Sequence, residues 1–300
     1  MPNIIGKRRL FISISGGLIA LSLIFLAVFG LRSGIDFSAG SMLTVAFDNP
    51  PQLSELNQEL NSLGYSSAIV QETGSEDFMI RLPAITDAEK NSLEDGLTTA
   101  FGGVTERSFE SVDPVIAAQT SRIAGIAVAA AAVGILLYLT YAFRRMPKPL
   151  HYGAVAVAAV LHDVLVVLGI FALLAAVFGW EINLMFIIGI LAVIGYSVNN
   201  TVVVFDRIRE NKLRATAPDF EGVVNRSVTE TLVRSVNTSL TTIIVVLALM
   251  LFVGATIQNL AVVMLIGILV GTYSSVFVAP AALVIWDHFD RKRLRAVATV

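Results

Sequence analysis

The stretch NLMFIIGILAVIGYSVNNTVVVFDRIREN, residues 183–211, decides the fold class. Its 22 residues from Leu184 to Phe205 carry no charged side chain, and Asp206, Arg207, Arg209 and Glu210 follow at once. About 20 mostly apolar residues cross a hydrocarbon core of about 30 Å as a helix. A run this long that ends abruptly in charge reads as a transmembrane helix with its polar end at a membrane surface. Tyr196, Ser197, Asn199, Asn200 and Thr201 interrupt its second half, so the helix must turn part of itself toward protein or water.

Five further runs meet the same test, giving expected spans of 10–30, 123–143, 152–178, 183–205, 235–254 and 257–286. Apolar residues make up 55% of the 300 and charged residues 15%, and the mean hydropathy is +0.77. Soluble domains carry about 25% charged residues, so most of this chain belongs in lipid. The run Leu10–Phe29 is too long for the apolar region of a signal peptide and is expected to stay as the first helix. Pro280 lies inside the last span, where it is expected to kink the helix and leave a carbonyl for a neighbour to satisfy.

The net charge of −2 conceals a segregation. Basic residues gather at Lys7, Arg8 and Arg9, at Arg144, Arg145 and Lys148, at Arg207, Arg209, Lys212, Arg214 and Arg226, and at Arg291, Lys292, Arg293 and Arg295. Residues 35–115 hold 14 acidic side chains against Arg81, Lys90 and Arg107. The positive-inside rule makes the clusters cytoplasmic and the acidic stretch external. Gly179–Trp180–Glu181 and Gly254–Ala255–Thr256 contain no Lys or Arg and read as tight outer turns, with Trp180 as an interfacial anchor. The expected organisation is an N-terminal tail and first helix (1–34), an extracytoplasmic domain (35–115), a five-helix bundle (116–286) with cytoplasmic links 144–151 and 206–232, and a basic tail (287–300). Both termini are then cytoplasmic, with a break in the second link near Ala217–Pro218.

Within 35–115 the pattern alternates between periods of two and 3.6 residues. Ser41–Phe47 reads as a strand, Pro51–Gly64 as a helix, Ser66–Thr73 and Phe78–Pro83 as strands around a Gly-Ser-Glu-Asp turn, Asp87–Phe101 as a helix and Val104–Val112 as a strand. The order βαββαβ predicts the ferredoxin-like split arrangement. The absence of cysteine excludes disulfides and thiolate chemistry. No His lies in this domain and no nucleophile–base set appears, so its acidic surface suits docking. No phosphate-binding loop, metal cluster or triad supports an enzyme; no metal or cofactor is expected, and no nucleic-acid partner.

Ionisable residues in a transmembrane helix cost about 2.5–3.5 kcal/mol each on insertion scales, which makes each a functional hypothesis. His162 and Asp163 fall near the middle of the third helix. A packed His and a protonated Asp, both purely structural, are the alternative. Asn199, Asn200 and Thr201 lie in the fourth helix, where interhelical hydrogen bonding competes with a polar path. Arg234, Asn237, Thr238, Thr241 and Thr242 form a stripe on the fifth helix that should face protein or water, with Arg234 either snorkelling outward or reaching inward to Asp163. An Asp, a His and an Arg around a hydroxyl-lined path suit a proton-driven machine. Gly189, Gly195, Gly267 and Gly271 offer close helix approach.

IGYSVNNTVVVFDRIREN (194–211) resembles the fourth-helix signature of SecF, a branch of the SecD/SecF family, and LHDVLVVLG (161–169), NRSVTETLVRSVNTSLTT (225–242) and GIDFSAG (34–40) are similar to three more of its motifs. The likeness covers essentially the whole chain. It implies an accessory subunit of the Sec translocase in the inner membrane, working with SecD and the SecYEG channel on a translocating preprotein and coupling protons to late export. It also implies an intramembrane role for Arg234 and a swinging outer domain whose hinges are placed at Gly34, Asp36, Gly40 and Pro114. Ala39, Asp113 and Ala117 stand where the family usually shows glycine, and Asn200 stands where it carries an aspartate. That last departure favours a second reading, a non-conducting structural partner of SecD. A self-standing exporter of the related RND type is a third.

Overall fold

All six long apolar runs are helical in the computed structural model, which describes residues 2–72, 77–252 and 255–298. After a 3-10 turn at Ile5–Lys7, the elements run α1 (Arg8–Phe29), α2 (Ile35–Ser38), β1 (Gly40–Phe47), α3 (Leu53–Ser62), β2 (Ile69–Glu72), β3 (Phe78–Leu82), α4 (Asp87–Phe101) and β4 (Val104–Val112). Then come α5 (Pro114–Ala142), α6 (Pro149–Phe178), α7 (Leu184–Leu213), α8 (Phe220–Phe252), α9 (Ala255–Tyr273), a π segment (Ser274–Val278) and α10 (Ala279–Ala298). Thr73 and most of the expected Gly-Ser-Glu-Asp turn, Gly254 of the expected second outer turn, and Thr299 and Val300 of the basic tail lie outside the described residues. Two compact units result: residues 1–31, 126–180 and 185–300 form one, and residues 32–125 with 181–184 form the other.

In the helical unit, α6, α7 and the α9–α10 rod are about half buried, while α1, α5 and α8 expose most of their surface. Four helices, α5, α7, α8 and α10, extend well past their apolar runs. Hydropathy reports the hydrocarbon thickness, whereas the helix continues for as long as its polar turns are satisfied. Arg209–Asp206, Arg214–Glu210 and Arg226–Glu230 are ion pairs at i,i+3 or i,i+4 that support the charged ends of α7 and α8. The break at Ala217–Pro218 falls between α7 and α8, where Asp219 Oδ1 accepts from the Gly222 amide at 3.0 Å to start the next helix. Ahead of Pro280 the backbone widens into the π segment, a common way of absorbing a proline's missing donor.

The second unit has the expected βαββαβ order, with the short α2 added before β1. Its sheet runs β2-β3-β1-β4, every neighbour antiparallel. Leu43 faces Ile80 on one side and Phe109 on the other. Alternate residues Leu43, Val45 and Phe47 of β1 join Phe78, Ile80 and Leu82 of β3 in a core closed by Leu56 and Leu60 of α3 and Leu93 and Leu97 of α4. Each fully buried leucine contributes about 1.5–3 kcal/mol. At the start of α4, Thr86 Oγ1 accepts from the Glu89 amide while a Glu89 carboxylate oxygen accepts from the Thr86 amide at 2.8 Å, a reciprocal cap.

Ala39 sits between α2 and β1 at φ 61° and ψ 167°, a conformation that side chains other than glycine's resist. Such strain costs about 1–3 kcal/mol. Ala39→Gly is therefore expected to stabilise this unit by about 1 kcal/mol after the added freedom of the unfolded chain is subtracted. Thermal unfolding of the two purified full-length chains checks it; a lower midpoint for the glycine form would remove the strain argument.

Candidate functional site

Asp163 on α6 is fully buried in the helical unit. Its Oδ2 accepts hydrogen bonds from Ser197 Oγ of α7 and, at 2.8 Å, from Ser274 Oγ of the π segment. Its Oδ1 lies 2.9 Å from His162 Nδ1. With Asp163 ionised, Nδ1 is the donor of that pair and Nε2 keeps its lone pair. His162 is 6% exposed, and Nε2 has no hydrogen-bond partner among the described residues.

Around this dyad the hydroxyls form a lattice. Thr201 Oγ1 reaches Ser275 Oγ at 2.9 Å and the Ser197 carbonyl at 3.0 Å, and Ser275 Oγ donates to the same carbonyl at 3.1 Å. The lattice exists because α9 can come close to α7. A Cβ on Gly267 would lie 2.1 Å from Val193 Cγ2, and one on Gly271 would lie 3.2 Å from Ser197 Cβ and 3.5 Å from Asp163 Oδ2. Gly189 packs likewise against Val263. Gly195 does not: nothing lies within 4 Å of its would-be Cβ, and it is exposed.

A second polar seam joins α7 to α8. Tyr196 Oη donates to Ser239 Oγ at 2.8 Å, and Ser239 pairs with Thr272 of α9. Further along, Glu230 collects Arg207 Nε at 2.7 Å, Asn211 Nδ2 at 2.8 Å and Arg226 Nε at 2.9 Å. Between these two ties the antiparallel register puts Asn200 level with Ser235. Asn200 is 2% exposed, and both its Nδ2 and Ser235 Oγ lack partners among the described residues.

His162, Asp163, Asn200 and Thr201 thus lie in the buried interior. Arg234, Asn199, Thr238 and Thr241 do not: all four are exposed. The inward alternative for Arg234, a reach to Asp163, is not what the structure has. Ser235 and Ser239 are the α8 residues turned inward, because small hydroxyl side chains allow the helices to close and a long guanidinium does not. The threonines of the exposed stripe bond back to their own helix, Thr238 Oγ1 to the Arg234 carbonyl at 2.9 Å and Thr241 Oγ1 to the Thr238 carbonyl at 2.9 Å. The Arg234 guanidinium has no such partner among the described residues. Ser274 and Ser275 escaped the reading of the sequence; adjacent serines six residues before a proline in an apolar span were their only signal. Gly34, Asp36, Gly40 and Pro114 belong to the α+β unit. Gly40, at φ 127°, leaves no room for a Cβ, which would lie 2.7 Å from the Leu82 carbonyl oxygen.

The profile of the family described as protein export membrane protein SecD/SecF, C-terminal, matches residues 92–288, and the SecD/SecF GG motif matches residues 24–51. The chain belongs to the SecD/SecF family. Protein translocase subunit SecF of Thermobaculum terrenum is 43% identical over 98% of this chain and 96% of its own length. The SecF subunit of Anaerolinea thermophila is 40% identical over 96% of this chain and 94% of its own. The crystal structure of SecDF, a translocon-associated membrane protein from Thermus, superposes with a TM-score of 0.85 at 33% identity. It covers 96% of this chain, which spans only 39% of that longer SecDF chain. SecD/SecF membership accounts for the six spans and the antiparallel four-stranded domain, and it makes protein transport the setting in which the polar interior is to be understood.

Proposed function

We propose that this chain couples the proton gradient to late-stage protein export as the partner of SecD at the SecYEG channel. It sits in the inner membrane with both termini cytoplasmic and the α+β unit outside. The observation that carries this reading is the buried Asp163–His162 dyad. A carboxylate held by two serine hydroxyls and an imidazole deep in a transmembrane bundle, with no Lys or Arg paired to it among the described residues, is expensive unless its charge state does something. His162 Nε2 is the atom that can take up a proton, and the imidazolium so formed is stabilised by Asp163 through Nδ1–H. Each proton crossing 100 mV supplies about 2.3 kcal/mol for movement.

The exposed polar stripe on α8 supports the partnership with SecD. A guanidinium at Arg234 facing lipid needs a carboxylate or carbonyls from outside this chain, and a helix of SecD packed there supplies them. Asn200 favours a second reading, a structural subunit that leaves proton passage to SecD, since an amide does not titrate.

Proteoliposomes containing SecYEG, the ATP-driven motor, SecD and this chain decide between the two. On the coupling reading, an imposed proton gradient accelerates export, and His162→Phe removes the acceleration. Gradient stimulation that survives His162→Phe and Asp163→Asn alike would leave this chain the structural role.

A further inference from the structure

In the α+β unit, the segment before β1 is bonded to the turn that joins α6 to α7. The Ile182 amide donates to the Arg32 carbonyl at 2.8 Å, and the Gly34 amide donates to the Ile182 carbonyl at 2.8 Å. These two bonds make Ser33 and Ile182 a parallel β-bridge. Beside it, the Leu184 amide donates to Asp36 Oδ2 at 2.8 Å. Leu184 is the first residue of α7, so Asp36 caps that helix from 148 positions away, satisfying an amide that the helix itself leaves free. Arg81 of β3 pairs with Glu181 and donates to Ser38 Oγ. Gly34 has ordinary extended dihedrals, φ −71° and ψ 176°. Its lack of a side chain serves approach instead: a Cβ there would lie 2.9 Å from the Ile182 carbonyl oxygen.

We infer that Gly34 and Asp36 are not hinge residues but positioning residues of a latch that ties the Glu181–Leu184 turn to the segment before β1 within the α+β unit. The inference rests on the coupling reading above, and it gives that reading its mechanical link. α6 carries His162 and Asp163, and α7 carries Ser197 and Asn200. A displacement of either helix along its axis moves the Glu181–Leu184 turn, and the latch hands that displacement to β1 and the sheet. Flexibility at residues 34–36 would dissipate it.

Asp36 acts only as an acceptor here, and an asparagine side-chain oxygen can accept the same bond. In full-length chain reconstituted with SecD and the channel, Asp36→Asn is expected to keep gradient-stimulated export. Asp36→Ala is expected to lose about fivefold, the loss typical of a missing helix cap, with the ATP-driven component unchanged. Paired strands lie about 4.8 Å apart, within the roughly 4.4–6.8 Å that a disulfide spans between Cα atoms. A Ser33→Cys, Ile182→Cys disulfide in the otherwise cysteine-free chain is therefore expected to form readily and to restore export in the Asp36→Ala background. An Asp36→Asn form as defective as Asp36→Ala would show that the carboxylate itself titrates, and a disulfide-locked chain that cannot respond to the gradient would show that the contact must part in each cycle. Either result overturns the latch. Hydrogen exchange at the Leu184 amide keeps the two proposals separable: protection in the parent and Asp36→Asn but not in Asp36→Ala, with no gradient response in any form, would sustain the latch and end the coupling reading.

Discussion

Asp163→Asn is expected to abolish the gradient-stimulated fraction of export, a loss of at least about tenfold, equivalent to about 1.4 kcal/mol in an activation barrier. Assembly with SecD and ATP-driven export should continue. Asparagine keeps the volume and one acceptor oxygen, so either Ser197 and Ser274 or His162 still finds a partner, but the charge that stabilises a protonated His162 is gone. Asp163→Leu is expected to do more. It leaves the Ser197 and Ser274 hydroxyls and His162 Nδ1 buried without their acceptor, and each orphaned group costs about 1–3 kcal/mol. Its thermal midpoint in detergent should fall well below that of Asp163→Asn. Matching export and matching midpoints for the parent and Asp163→Asn would remove the dyad from the mechanism.

Reading the sequence located this dyad but misassigned half of its surroundings, and the reason is physical. Apolar run length and charge segregation are properties of whole segments, so the six helices and the βαββαβ order were legible without any neighbour. Which face of a polar helix turns inward is not such a property. Thr238 and Thr241 close their hydroxyls onto carbonyls of α8 itself, so they tolerate an exposed position that the pattern alone assigned to a buried path. Conversely, Ser274 and Ser275 look like incidental small residues until the π segment before Pro280 turns both toward α6 and α7. Gly34 and Asp36 show the same limit at longer range. Their residue types announce a special backbone site, but the Ile182 and Leu184 groups that they meet are about 150 positions away, beyond the reach of any local pattern.

Asn200→Asp is expected to raise gradient-stimulated export several-fold. Position 200 is buried beside the dyad's helix partner Ser197 and level with Ser235, whose hydroxyl has no partner among the described residues. An amide there presents an N–H that finds no acceptor among the described residues and does not titrate. A carboxyl in the same slot is nearly isosteric, can donate to Ser235 when protonated, and adds a second titrating group one helix away from His162. Asn200→Leu provides the control. It removes an unpartnered buried donor, an arrangement that costs about 1–3 kcal/mol, so it should leave transport at the parent level and raise the thermal midpoint. If Asp at 200 adds nothing while Asp163→Asn abolishes stimulation, protons pass by His162 and Asp163 without using α7. If neither change alters stimulation, the titrating groups belong to SecD, and the buried carboxylate of this chain serves only to hold α6, α7 and the π segment together.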